Sequence, residues 1–200
     1  IWRHVLMPEI EGDRDKSGLM REYHDHLVRE LGYSVNGYER TRFFSPTAGN
    51  FREIGTSSGL GDRLDGRSVA MADFDDDGDL DLAVTNKLGP SVVLFDNTLE
   101  TENTFLVVDL QGVYSRVSPI GAKVVVDACG QRQQRIVSVG DGFMSQHTLG
   151  LWFGLGTCES VAQLDVYWPS GSSHRFTELE VNARIEVVEE SGALRVDKRY

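Results

Sequence analysis

The chain is poor in several features that mark particular classes of protein. Basic residues are the clearest shortage, since 20 Lys and Arg stand against 31 Asp and Glu, and the formal net charge is −11. Because no basic stripe is present to neutralise phosphates, we expect no nucleic-acid partner. No apolar run approaches the length of a membrane span, so we also expect no transmembrane segment. The chain opens at Ile1 without a signal peptide, which predicts a processed or truncated piece of a longer polypeptide.

Proline and cysteine are also scarce. Five Pro stand beside 21 Gly, a balance that favours a β protein rich in turns. The two cysteines, Cys129 and Cys158, are too few and too far apart for a structural zinc site. They form either a disulfide or a pair of buried free thiols, and the sequence leaves both alternatives open. A disulfide implies an oxidising compartment.

One stretch, by contrast, is dense in charge of one sign. Residues 73–81 read Asp-Phe-Asp-Asp-Asp-Gly-Asp-Leu-Asp, so six carboxylates lie within nine residues. Asp73, Asp75 and Asp77 alternate, Gly78 permits a sharp turn, and Asp81 adds a fourth carboxylate. A hard divalent cation with several oxygen ligands requires this spacing, and Ca²⁺ fits it best. The alternative is a solvated acidic turn, which needs neither Gly78 nor Asp at every second position.

The segments beside this stretch indicate strands. Residues 67–72 and 80–85 alternate and are rich in β-forming side chains. An EF-hand loop is excluded because its twelfth position, where a bidentate Glu is needed, is Val84. The sequence therefore predicts a calcium loop between two strands.

Elsewhere the pattern is mainly that of short strands. A single helix is predicted over 17–31, where Leu19, Met20, Tyr23, Leu27 and Leu31 share one face. Strands are predicted at 91–95, 105–110, 121–128, 134–139, 150–153, 161–168, 173–179 and 184–189. Their density in the second half predicts an antiparallel β-sandwich or barrel, followed by a polar tail at 191–200.

Two segments resemble known families. Residues 66–84, Gly-Arg-Ser-Val-Ala-Met-Ala-Asp-Phe-Asp-Asp-Asp-Gly-Asp-Leu-Asp-Leu-Ala-Val, resemble an FG-GAP or VCBS repeat, the calcium-carrying blade unit of integrin-α-type β-propellers. Residues 51–60 resemble the strand and loop that precede such a hairpin. The resemblance implies that Ca²⁺ is bound by the side chains of Asp73, Asp75, Asp77 and Asp81, while Asp79 contributes its backbone carbonyl.

The second half resembles the ASPIC/UnbV domain. The matching stretches are 103–112, 120–126, Gly142-Phe-Met-Ser-Gln146, Phe153-Gly-Leu-Gly156 and Val166-Tyr-Trp-Pro-Ser-Gly171. FG-GAP repeats followed by this domain are the layout of the cartilage acidic protein family and its bacterial relatives, of which this chain resembles the C-terminal portion. We therefore expect a partial FG-GAP propeller over 1–98, an ASPIC/UnbV β domain over 99–190, and the tail.

The resemblance also implies a partner. The first hundred residues supply about two blades, whereas a propeller needs at least four. We expect either a missing N-terminal propeller segment or a protein partner to complete the ring. A carbohydrate or matrix ligand is an alternative, with Trp152 as an aromatic platform, although Trp152 and Trp168 are both predicted to lie in the core.

The residues offer little support for catalysis. Asp141, Ser145 and His147 lie close in sequence, but their order matches no nucleophile elbow and G-x-S-x-G is absent. The leading hypothesis is a non-enzymatic calcium-binding interaction or adhesion module that is extracellular, periplasmic or on the cell surface. The alternatives are a subunit of a larger periplasmic or cell-surface assembly, and an enzyme or accessory protein of secondary metabolism, since bacterial relatives include proteins encoded with enediyne biosynthesis.

Overall fold

The computed structural model describes residues 2–6, 40–64, 66–86, 90–115 and 118–199. The helix predicted over 17–31 lies outside these residues. The chain divides into two compact units, Ile1–Ala70 with Leu80–Leu99 and Met71–Asp79 with Glu100–Tyr200, which we name the blade unit and the sandwich unit. Strands dominate the described residues, as the sequence predicts. Among these residues, no helix is long and apolar enough to cross a membrane.

The blade unit is built on a four-stranded sheet. Its order is β1 (Trp2–Leu6), β6 (Val92–Asn97), β5 (Asp81–Asn86) and β4 (Gly66–Ala72). Alternation in β5 and β6 places Val84, Val93 and Phe95 in a small core with Leu60. A separate hairpin joins β2 (Phe44–Thr47) to β3 (Asn50–Glu53), and a four-residue helix α1 (Gly55–Ser58) follows it.

The sandwich unit contains two further four-stranded sheets. One has the order β10 (Leu151–Gly156), β7 (Thr104–Gln111), β13 (Ala183–Val188) and β14 (Leu194–Arg199). The other has the order β12 (Ser173–Glu180), β11 (Ser160–Tyr167), β8 (Lys123–Ala128) and β9 (Gln131–Ile136). Inward side chains of both sheets form one core, which contains Leu106, Phe153, Val124, Val126, Leu164, Val166, Trp168 and Ile185.

In the sheet with the order β10-β7-β13-β14, one strand pairing is not predicted by the alternation of apolar and polar residues. Strand β7 pairs antiparallel with β10 but parallel with β13, with Leu106 opposite Ala183. A parallel pair requires a long connection. Here the strands from β8 to β12 supply it.

The sandwich unit contains both cysteines and the segment that the sequence predicts to be a polar tail. Cys129 and Cys158 form a disulfide with their Cα atoms 5.9 Å apart, so the free-thiol alternative is wrong. Most of the segment predicted as a polar tail, 191–200, is a strand, because β14 pairs with β13. Leu194 packs against the core and anchors this strand.

Candidate metal centre in the acidic loop

The acidic loop, residues 73–81, connects neighbouring strands β4 and β5, as the sequence predicts. Its turn depends on residues with positive φ, namely Asp76 at 68° and Gly78 at 99°. Aspartate tolerates the left-handed region better than most residues, and glycine enters it without steric cost.

Hydrogen bonds within the loop fold it around Asp73. One carboxylate oxygen of Asp73 accepts the amide of Asp77 at 3.1 Å, and the other accepts the amide of Gly78 at 3.2 Å. Asp77 in turn accepts the amide of Asp79 at 3.0 Å. Asp73 and Asp77 therefore accept hydrogen bonds from backbone N–H groups in the turn, which have no neighbouring strand to pair with.

Three of the five predicted metal residues come together. Asp73, Asp75 and Asp81 each place one carboxylate oxygen within 4.8 Å of the others. Asp75 is exposed, Asp73 is half-buried, and Asp81 is only 1% exposed. The amide of Asn97 donates to Asp81 Oδ1 at 2.8 Å and holds this carboxylate in place.

This donor set fits a hard divalent cation. Two oxygens that share one Ca²⁺ at about 2.3–2.6 Å lie at most about 5 Å apart, and the three aspartates meet this limit. Like charges at this spacing repel one another, and a cation between them reverses the sign of the interaction. Asp73, Asp75 and Asp81 are therefore the residues that would hold Ca²⁺. Asp77 and Asp79 lie in the same turn but outside this cluster, and calcium binding by all five residues stays a prediction.

Family models match both parts of the chain. Residues 66–98 match the FG-GAP repeat, and residues 112–194 match ASPIC and UnbV. The chain contains an FG-GAP repeat followed by an ASPIC/UnbV domain. The repeat spans β4, the acidic loop, β5 and β6, and the sheet they form fits a propeller blade. The ASPIC/UnbV match runs from the segment before β8 to the start of β14. A search of curated protein sequences returns no match.

Within the sandwich unit, residues of the ASPIC/UnbV domain contact both ends of the segment Met71–Asp79. The amide of Met71 donates to His147 Nδ1 at 3.2 Å, and the amide of Thr148 donates to the carbonyl of Met71 at 2.9 Å. Trp152 Nε1 donates to the carbonyl of Gly78 at 3.4 Å. Sequence reasoning missed these contacts because more than seventy residues separate the partners in each pair.

Trp152 does not lie in the core, so that prediction is wrong. It is half-buried and pairs with Val107, on the face of β10 opposite the core residue Phe153. The guanidinium of Arg184 lies 5.4 Å from the centre of its ring. Trp168, by contrast, is 4% exposed and belongs to the core, as predicted.

A second polar centre of the ASPIC/UnbV domain surrounds Glu189, which is 2% exposed. One of its carboxylate oxygens accepts the amides of Val113, Tyr114 and Ser115 at 2.7–2.9 Å. The other accepts the hydroxyls of Ser115 and Ser170 at 2.5 and 2.6 Å. Burial raises the pKa of the Glu189 carboxyl, but these hydrogen bonds outweigh it and lower the pKa to about 2.

Two of the three residues considered for hydrolysis, Asp141 and His147, make hydrogen bonds to other groups. Asp141 accepts the hydroxyl of Ser138 at 3.0 Å with both of its oxygens. His147 Nδ1 accepts the amide of Met71, as described above. These contacts join residues of the loop after β9 to each other and to the end of β4.

Proposed function

We propose that this chain is a non-enzymatic, calcium-stabilised interaction module that works outside the cytoplasm. The observation that carries the proposal is the meeting of Asp73, Asp75 and Asp81 in the loop of an FG-GAP repeat. Ca²⁺ bound there would offset the mutual repulsion of the loop carboxylates and fix the connection between β4 and β5.

Two further observations support the location and the binding role. The Cys129–Cys158 disulfide is of the kind that persists in oxidising compartments. The loop between β9 and β10 exposes Phe143 by 71% and Met144 by 88%. Large apolar side chains displayed side by side on an exposed loop are typical of surfaces that bind other proteins.

Thermal unfolding with Ca²⁺ or with a chelator tests the calcium part of the proposal. Ca²⁺ binds the folded loop and not the unfolded chain, so at a free concentration one hundred times Kd the gain is about 2.7 kcal/mol. Asp75→Asn should abolish most of this gain because it removes one of the three clustered carboxylates.

Asp76→Asn provides the matched control. It removes the same charge from the neighbouring residue and keeps a side chain that tolerates the positive φ of 68°. Since Asp76 is outside the cluster, we expect this variant to retain the gain from Ca²⁺. Equal melting temperatures of the unmodified chain in Ca²⁺ and in chelator would refute the calcium site.

A second candidate function is that of a subunit in a larger assembly at the cell surface or in the periplasm. The FG-GAP model matches 66–98, which corresponds to one blade, whereas a propeller needs at least four. Further blades from a longer polypeptide or a partner chain would complete the ring. Cross-linking of the protein in its native host, followed by mass spectrometry, distinguishes a subunit from an isolated module.

A further inference from the structure

Within the sandwich unit, the segment that carries most of the acidic loop is held at its start by the loop after β9. Met71 lies two residues before Asp73, and both of its backbone polar groups are occupied. Its amide donates to His147 Nδ1 at 3.2 Å, and its carbonyl accepts the amide of Thr148 at 2.9 Å. The direction in which the chain enters the loop is therefore set by residues 147 and 148.

A second contact holds the turn of the loop. Gly78 is buried and uses its two backbone groups in different ways. Its amide donates to the carboxylate of Asp73, while its carbonyl accepts Trp152 Nε1 at 3.4 Å. The backbone of Gly78 thus links a clustered carboxylate to the indole of Trp152.

Trp152 is itself held in place by its neighbours. It shares one row across the sheet with Val107, which is fully buried, and Arg184, whose guanidinium lies against its ring. Arg184 forms an ion pair with Asp109 at 2.6 Å. Gly150 leaves the space that this arrangement needs, because a Cβ there would lie 2.8 Å from both the Trp152 ring and the Asp109 carboxylate.

We propose that Trp152 and His147 are positioning residues for the calcium site, so that the affinity of the acidic loop for Ca²⁺ depends on β10 and on the loop that precedes it. This inference rests on the calcium binding proposed above. A loop that is already folded loses less conformational freedom when it binds its ligand, and the affinity rises accordingly. Linkage requires the reciprocal effect, in which Ca²⁺ stabilises the contacts of Met71 and Gly78.

Calorimetric titration of the full chain with CaCl₂ tests this inference through the variant Trp152→Phe. Phenylalanine keeps an aromatic ring beside Arg184 and removes the indole N–H that reaches Gly78. Since a single hydrogen bond contributes about one kcal/mol, we expect Ca²⁺ to bind roughly three- to tenfold more weakly. His147→Ala removes the acceptor for Met71 and should weaken binding in the same range, which provides a second test if Trp152→Phe fails to fold.

Trp168→Phe is the matched control. Trp168 lies in the core of the same unit, and its indole donates to His174 Nδ1 at 2.9 Å, so the variant also loses one hydrogen bond. It should lower the melting temperature and leave the Kd for Ca²⁺ unchanged. A merely structural role for Trp152 would produce that same pattern, and the Kd therefore separates the two roles.

The outcomes also separate this inference from the proposed function. If the unmodified chain binds Ca²⁺ and both Trp152→Phe and His147→Ala bind it with the same Kd, the positioning role is wrong while the calcium site stands. If the unmodified chain binds no Ca²⁺, both proposals are overturned. Weaker binding by Trp152→Phe and His147→Ala, with unchanged binding by Trp168→Phe, supports the positioning role.

Discussion

At the scale of single residues, Glu189 links three segments that are distant in sequence. It follows β13 directly and binds the loop at 113–115 and the turn at Ser170 through one carboxylate. Each N–H and O–H around it is a donor, and only an ionised carboxylate accepts from all of them. The free energy of unfolding should therefore depend on the charge of this one group.

Because the folded-state pKa of Glu189 is about 2 and lies below its usual value of 4.5, its contribution to stability is fully present above pH 4.5. This contribution is lost as the pH falls from about 4.5 towards 2. Glu189→Gln should lower the free energy of unfolding at pH 7 by roughly 2–4 kcal/mol, since the amide offers one acceptor and adds a donor.

Urea denaturation of Glu189→Gln at pH 7 and pH 3 measures this effect, with Glu190→Gln as the control. Glu190 is exposed and adjacent, so its change should alter stability little. The variant Glu189→Gln should also lose part of the pH dependence that the unmodified chain shows. If the free energy of unfolding changes equally between pH 7 and pH 3 in Glu189→Gln and in the unmodified chain, Glu189 is not the group that causes the pH dependence.

The site residues differ in how far the sequence alone predicts them. Asp73, Asp75 and Asp81 are predicted because their spacing around Gly78 is local and repeats a recognisable pattern. Trp152 and Glu189 are not, since their roles depend on which distant segments meet. Alternation placed Trp152 in a strand, but it does not determine which face of that strand packs against the core.

At the scale of secondary-structure elements, the Cys129–Cys158 disulfide joins two turns. Cys129 lies between β8 and β9, and Cys158 lies between β10 and β11, 29 residues further along the chain. Among the described strands, β9 pairs only with β8 and forms an edge of its sheet. The bridge joins the turn before β9 to the turn before β11 and so holds this end of the sandwich together.

Replacing both cysteines by serine should lower the free energy of unfolding by roughly 3–4 kcal/mol, because a loop of this length regains its freedom in the unfolded chain. Urea denaturation of the double variant Cys129→Ser and Cys158→Ser measures the loss. The unmodified chain, treated with reductant and then alkylated, should show a similar loss. If neither sample is destabilised, the bridge does not constrain the unfolded chain.

Strand existence could be predicted from the sequence, whereas strand pairing could not. The alternation in β13 reflects burial on one face, which is a local property. Strands β7, β8 and β11 each bury three consecutive residues, and their sequences show this as short runs of β-forming side chains. The parallel pairing of β7 with β13 leaves no local signal. Strand β14 was missed because its residues are mostly polar, and Leu194 alone is apolar enough to anchor its start.

At the scale of the whole molecule, the blade unit leaves large apolar side chains in contact with solvent. Phe44 is 50% exposed, Phe51 is 75% exposed, and Val69 on the edge strand β4 is 39% exposed. In a propeller, each blade packs against its neighbours, and further blades would cover apolar side chains of this kind.

We therefore expect the isolated 200-residue chain to associate as its concentration rises. Sedimentation velocity over a wide range of concentration measures this, and Phe51→Ser should reduce association because it removes the most exposed of these rings. A chain that remains monomeric at high concentration, and that binds no dye specific for apolar surface, would show that the blade unit needs no further cover.

The parallel pair of β7 and β13 has a consequence for biosynthesis. Strand β7 leaves the ribosome early, but its partner appears only after β8 to β12 have been made. Until then, one edge of β7 is open to any other strand, including the same strand on a neighbouring nascent chain. Premature termination between the end of β7 and Ala183 would leave that edge permanently open. Truncated products of this domain should consequently be found in inclusion bodies or bound to chaperones.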